Sequence, residues 1–356
     1  MHPLPTTGVA RFPGGRQLKV TTADTHRVID EAVTEMSINH DVDANTIEVR
    51  VVPANGAGPK IYVLSRYDVY GFMQHGIAEP AYDPASNSPK HYKTWPIPGP
   101  YSTGDKPHPW DVVQGEKQDC RILSALQVLA LCQPKILMQA LTCDVGAGTC
   151  TVMLRRTPGP KGVAATTAPL EAFTFTTALP CKWTGPNTAT QLLYAGADSV
   201  IDYLPLWPSF FEKALAVMWG GYGALAGAEE RSLMSALGIT TMQAIQFTKA
   251  ARTGEQNVRG WITTLCDAFA AGCPTTAFII GKQHNYGIVG VSPTHVVVCD
   301  PNSRQTGDYY ARWNDSPRIF DGTPAMLQSS VNFPMKLTWA QFFENFMWAY
   351  IFRPSA

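Results

Sequence analysis

Asp111-Val-Val-Gln114-Gly115-Glu-Lys-Gln-Asp119-Cys120-Arg-Ile-Leu-Ser-Ala-Leu126 is a polar, Gly-containing loop that runs into an apolar helical pattern, with a cysteine at the junction. Ile122, Leu123, Leu126, Leu129 and Ala130 recur at helical spacing, which predicts a helix with that face buried. Asp119 is the expected N-cap, so Cys120 becomes the first helical residue. A thiol there feels the positive end of the helix dipole, which favours the reactive thiolate. Gln114, on the loop before it, offers a side-chain amide to an oxyanion developing beside the sulfur. A lone cysteine at a helix start is more often a small buried apolar residue, so the reading depends on the rest of the chain.

Working toward the N-terminus, residues 1–20 are rich in Pro and Gly and read as a loosely held arm. Residues 25–36 carry apolar side chains at helical spacing and predict a short helix. Residues 46–52 alternate as a strand, 53–59 read as a turn, and 60–64 as a second strand, together a hairpin in a small α/β module. Asp41-Val-Asp43-Ala-Asn45 resembles the start of an EF-hand loop but lacks its Gly and its final Glu, so a turn is expected. From 79 to 109 the composition shifts to Pro, Ser, Tyr, Gly and Lys, as in a linker or an extended wrapping segment.

Working toward the C-terminus, helices are expected at 134–141, 206–218, 231–237 and 260–271. Strands are expected around 149–155, 172–179 and 191–194. From 276 the character becomes β, with strands at 277–280, 284–291 and 294–299, then a helix within 337–347 and a closing strand at 348–352. The helices and Cys120 thus come early, and a β-rich region bearing histidines comes late. Such a layout suits an enzyme whose nucleophile and base stand on opposite walls of a cleft.

A cysteine nucleophile needs an imidazole within hydrogen-bond reach, and the imidazole needs a third group to orient it. His284 and His295 compete for the base. If the strands that follow them pair as an antiparallel hairpin, the start of one lies beside the end of the other. That brings His284 to Asp300 and leaves His295 near the turn. Asn302, just past the strand, is the second choice as orienting group.

Composition bounds the alternatives. The chain has 356 residues, 45% of them hydrophobic, with 28 basic and 28 acidic side chains. That length suits two or three compact units. No basic excess points to nucleic acid or an anionic membrane. No apolar run has the length of a membrane span, and the first residues lack the basic start and apolar core of a signal peptide, so a cytoplasmic protein is expected. The eight cysteines are scattered without zinc-knuckle spacing. Most read as reduced core thiols, and a Cys143–Cys150 bridge is the pairing open to an oxidising compartment. No metal site is expected.

At this point the residues resemble a family. Gln114-Gly115, Asp119-Cys120, Leu123 and Ala125 look like the calpain version of the papain-like cysteine peptidase signature. Trp207-Pro-Ser-Phe-Phe-Glu212-Lys213-Ala214, then Tyr222-Gly-Ala-Leu225-Ala-Gly227, resemble the opening of that core's second lobe. His284-Asn-Tyr286-Gly-Ile-Val289-Gly290 resembles its histidine strand, and Asp300-Pro301 falls where the family has Asn-Pro. Thr338-Trp-Ala-Gln-Phe342-Phe-Glu-Asn-Phe346 resembles its closing segment.

The resemblance covers roughly 108–356. It implies an α+β, two-lobed papain-like fold beside the small N-terminal α/β module. The expected division is 1–107 for the N-terminal module and linker, 108–202 for the helical lobe with Cys120, and 203–356 for the β-rich lobe with His284 and Asp300. It implies a cysteine endopeptidase acting on protein or peptide substrates, with Cys120 as nucleophile, His284 as general base and acid, Gln114 as oxyanion donor and Asp300 as orienting group.

The chain departs from the pattern at Arg121 and Asn302, where the family carries Trp, and at Asp300, where it carries Asn. Two other outcomes follow from those departures: a scaffold with a decayed site, or a thiol-dependent acyl transferase or ligase. Calpain cores bind calcium at acidic loops. No dense Asp/Glu loop here matches those sites, so no cofactor is expected and calcium stays a candidate only.

Overall fold

Four antiparallel strands open the chain, β1 (Val9–Thr21), β2 (Val28–Asp41), β3 (Thr46–Pro53) and β4 (Lys60–Ser65), paired in that order. The computed structural model describes residues 9–43, 46–65, 69, 80, 90–94, 106–115, 118–144, 148–182, 191–192, 194–195, 206–248, 255–279, 281, 283–302, 320–321, 327 and 334–354. The β3–β4 hairpin lies where alternation placed it. In β3 every second residue is buried, Ile47, Val49 and Val51, as in a sheet with one covered face.

Two expectations are corrected here. The helix expected over 25–36 is largely the strand β2, and the arm expected over 1–20 carries β1. Ile29, Val33 and Met36 are the buried residues of β2, a spacing that imitates a helix. It arises because the β2–β3 register slips between Val33 and Glu35. The extra residue of a bulge moves the buried face from odd to even positions. Among the described residues, this module is a four-stranded antiparallel sheet, and Val69, a helical residue beyond β4, is buried in its core. The Asp41–Asn45 segment links β2 to β3, and Asp43 Oδ1 accepts from the Thr46 N–H at 2.9 Å.

Of the segment 79–109, most residues lie outside those described. Lys90–Thr94 form β5. There follow α1 (Cys120–Cys132), α2 (Pro134–Ala140), β6 (Leu141–Asp144), β7 (Thr149–Arg155) and β8 (Leu170–Thr176), the three strands making one antiparallel sheet. A disulfide joins Cys143 and Cys150, facing partners on β6 and β7. The strand expected over 172–179 breaks at Thr177, and β9 (Ala178–Lys182) turns into another sheet with β10 (Gln191–Leu192) and β5. A piece of the expected linker is thus built into a sheet. α3 (Trp207–Trp219) starts with Pro208 in its first turn and stops at Gly220, which is left-handed at φ 90°. α4 (Glu230–Ala236) completes the group.

One buried cluster unites these elements. Leu123 and Leu126 of α1, Phe175 of β8, Trp207 and Phe210 of α3 and Leu233 of α4 belong to it. The helices at 207–219 and 230–236, expected with the late lobe, share their core with the Cys120 helix.

The remainder comprises β11 (Thr241–Gln246), α5 (Glu255–Ala270), β12 (Thr275–Ile279), β13 (Asn285–Val291), β14 (His295–Cys299), β15 (Phe320–Asp321), β16 (Met335–Thr338), α6 (Trp339–Asn345) and β17 (Phe346–Arg353). Its seven strands pair in the order β11-β17-β12-β13-β14-β16-β15, antiparallel except for β15 with β16. β11 was not expected. It is an edge strand with only Ile245 buried, so it carries no alternation. α6 starts in a capping box between Thr338 and Gln341. A second core lies on this sheet, with Leu265, Ile288, Val298, Phe342 and Ile351 in it. The chain is a mixed α+β protein, and α1 packs against β13 where the two cores meet. Among the described residues no single helix is long and apolar enough to cross a membrane.

Candidate active site

Cys120 is the first residue of α1 and is 6% exposed. Asp119 holds the N-cap position through its backbone carbonyl, which accepts from Ile122 and Leu123, while its side chain makes no capping hydrogen bond. The sulfur lies 3.8 Å from the carbonyl oxygen of Gln283, the residue before His284.

His284 is placed by the hairpin. β13 and β14 pair antiparallel, with Gly287 opposite Cys299, so the entry to β13 lies beside the exit from β14. His284 Nε2 is 2.6 Å from Asp300 Oδ1, and the carboxylate is almost wholly buried. That occupies Nε2 and leaves Nδ1 for the sulfur. Burial alone would lower the imidazole pKa. The hydrogen bond to Asp300, the bond to Cys120, and then the charges of both outweigh burial and hold it up at about 10. An imidazole so placed keeps its proton through neutral pH.

The other residues singled out from sequence fall as follows. Asn302 donates its backbone N–H to Asp300 Oδ1 at 2.8 Å. Gln114 donates its backbone N–H to the carbonyl of Pro301 at 2.6 Å, which ties the loop before Cys120 to the residue after Asp300. His295 is at the opposite end of the hairpin. Its Nδ1 is 2.8 Å from Ser292 Oγ and 3.1 Å from Thr294 Oγ1, and the structure does not bring it to Cys120.

Arg121 turns to a different task. Its Nε lies 2.8 Å from Glu230 Oε2, Glu229 is 3.8 Å away, and the guanidinium sits over the rings of Phe278 and Tyr350. Burial raises the pKa of Glu230, and the Arg121 charge opposes that rise. The residue after the cysteine therefore anchors α1 to α4.

Three supports escaped the sequence reading. The Tyr286 ring stands edge-on to the His284 ring at 5.2 Å and 87°, and its hydroxyl donates to the carbonyl of Leu327 at 3.2 Å. Asn285 Nδ2 donates to Ser124 Oγ at 2.9 Å in a fully buried contact. Asp111 Oδ2 accepts from Trp207 Nε1 at 2.7 Å and from the His108 N–H at 2.8 Å, and burial pushes this carboxyl up to about 7. Only Tyr286, two residues past the histidine, carried a local signal.

Among the described residues no group of three or more His, Cys, Asp or Glu side chains is arranged to hold a metal ion. In comparison with known proteins, the chain matches no family model and no curated sequence.

Proposed function

We propose that this chain is a cysteine endopeptidase of the calpain-like, papain-fold type, acting on protein or peptide substrates without a cofactor. One observation carries the reading: the imidazole of His284 is held between a buried carboxylate and the thiol at the start of α1, and its pKa is raised to about 10 by both. A buried Cys–His–Asp arrangement is the pattern of an activated thiol nucleophile. Two cores that meet along α1 and β13 support the two-lobed reading, with the early core supplying sulfur and the late one imidazole.

The proposed chemistry runs as follows. Cys120 Sγ, as thiolate beside protonated His284, attacks the peptide carbonyl carbon. The oxyanion is stabilised by the Cys120 N–H and the Gln114 side-chain amide; losing one such donor reduces rate about a hundredfold or more. The C–N bond breaks, and the proton on His284 Nδ1 goes to the leaving amine. Water then attacks the thioester, gives its proton to Nδ1, and releases the acid with the thiolate restored. Asp300 keeps the ring oriented throughout. The Cys143–Cys150 disulfide favours an oxidising compartment over the cytoplasm expected from composition.

The test is incubation of the full chain with a mixed peptide library and mass-spectrometric search for new termini. Cleavage by wild type that vanishes in Cys120→Ala supports hydrolysis. Amide products that form only when amines are added support acyl transfer. No product under either condition overturns the reading.

A further inference from the structure

Cys120, Ser124 and Gln127 stand at i, i+4 and i+7 of α1, so they form one polar stripe on a helix whose other buried residues are apolar. Each meets the β13–β14 hairpin. Cys120 faces His284. Ser124 Oγ accepts from Asn285 Nδ2 at 2.9 Å. Gln127 Nε2 donates to Cys299 Sγ at 3.6 Å. The partners are in step with the site, since Asn285 follows His284 and Cys299 precedes Asp300. Gly287 lets the strand come close: a Cβ there would stand 3.1 Å from Gln127 Oε1 and from Val128 Cγ1.

The middle contact is the specific one. The Ser124 hydroxyl donates to the Arg121 carbonyl at 3.1 Å, so its proton is engaged and its lone pairs are left for the Asn285 amide. Both residues have no exposed surface. Apolar packing between a helix and a strand is non-directional and tolerates small slides. A hydrogen bond in a low-dielectric interior has a preferred length and angle and does not.

We propose that Ser124 and Asn285 are positioning residues. Their hydrogen bond sets the height of β13 against α1 and so sets the separation of thiol and imidazole. This rests on the thiol-nucleophile reading above. Misplacing reacting groups by about 1 Å lowers rate on the order of a hundredfold.

The experiment measures the rate of carboxamidomethylation of Cys120 by iodoacetamide at neutral pH in the full chain, with the adduct mapped by mass, and kcat and KM on a cleaved peptide. Wild type, Ser124→Ala, Asn285→Leu, the double variant and Ser124→Thr are compared. Wild-type Cys120 reacts faster in the folded chain than in the urea-unfolded chain, although it is buried. Each single variant lowers that rate and kcat about ten- to a hundredfold with little change in KM. Ser124→Thr, which keeps the hydroxyl, stays near wild type. The double variant replaces both partners with apolar groups, a change that preserves stability. It lowers the rate no further than either single change, and it keeps the test decisive if a single variant fails to fold. A fast wild-type Cys120 with unchanged rates in the variants would overturn the positioning role alone. A wild-type Cys120 that reacts no faster folded than unfolded would overturn the nucleophile reading on which it rests.

Discussion

Asp300 Oδ1 lies 2.6 Å from Nε2 of His284; Asp300 is one position beyond β14, and His284 is one position before β13, the strand with which β14 pairs. With burial opposing it, this carboxylate is the largest influence raising the imidazole pKa to about 10. Loss of the imidazolium proton on the alkaline side removes the acid that protonates the leaving amine. In Asp300→Asn the charge is gone, so the alkaline limb of kcat/KM moves to lower pH and the neutral-pH rate drops on the order of ten- to a hundredfold. A pH–rate profile on any cleaved peptide reads both. The raised pKa also has a stability sign: the His284 contribution is complete below the ordinary value of 6.5 and is lost as pH rises through about 10.

Asp111 carries the opposite liability. Burial raises its carboxyl from 3.8 to about 7. A raised folded-state pKa means stability that is present below 3.8 and lost as pH rises through about 7. Above that, the fold bears a buried charge that accepts from Trp207 Nε1 and the His108 N–H. Asp111→Asn keeps an acceptor for Trp207 and removes the charge. Its unfolding free energy in urea relative to wild type is expected to rise with pH between 3.8 and about 7 and then level off, by a few kcal/mol at most. A difference that stays flat from acid to alkaline pH would contradict the assignment.

Arg121 is structural in this account. Arg121→Ala leaves Glu230 buried beside Glu229 without its nearest cation, a loss of about 3 kcal/mol by denaturant unfolding. Adding Glu230→Gln recovers part of it. The folded fraction of Arg121→Ala is expected to keep wild-type kcat; a large fall in kcat at full folding would place Arg121 in the chemistry instead.

The candidate site was legible in sequence where each member adjoins a pattern. Cys120 sits where polar loop becomes apolar helix, and His284 and Asp300 sit at the two free ends of an apolar hairpin. Ser124 and Asn285 were not legible, because their meaning lies in a contact 161 residues apart in the chain. β2 was misread because its bulge spaces Ile29, Val33 and Met36 like a helix. α3 was recognised, but periodicity says only that a face is buried. It does not say that Trp207 and Phe210 pack with the Cys120 helix.

Cys120 is proposed as a nucleophile activated by His284. Labelling with an active-site-directed epoxide, mapped by mass on wild type, Cys120→Ala and His284→Ala, tests it most directly. The expected result is a single adduct on residue 120, absent in Cys120→Ala and slowed a hundredfold or more in His284→Ala. Labelling at 120 that is unaffected by loss of His284, or an adduct that forms only on the other free cysteines, would contradict it.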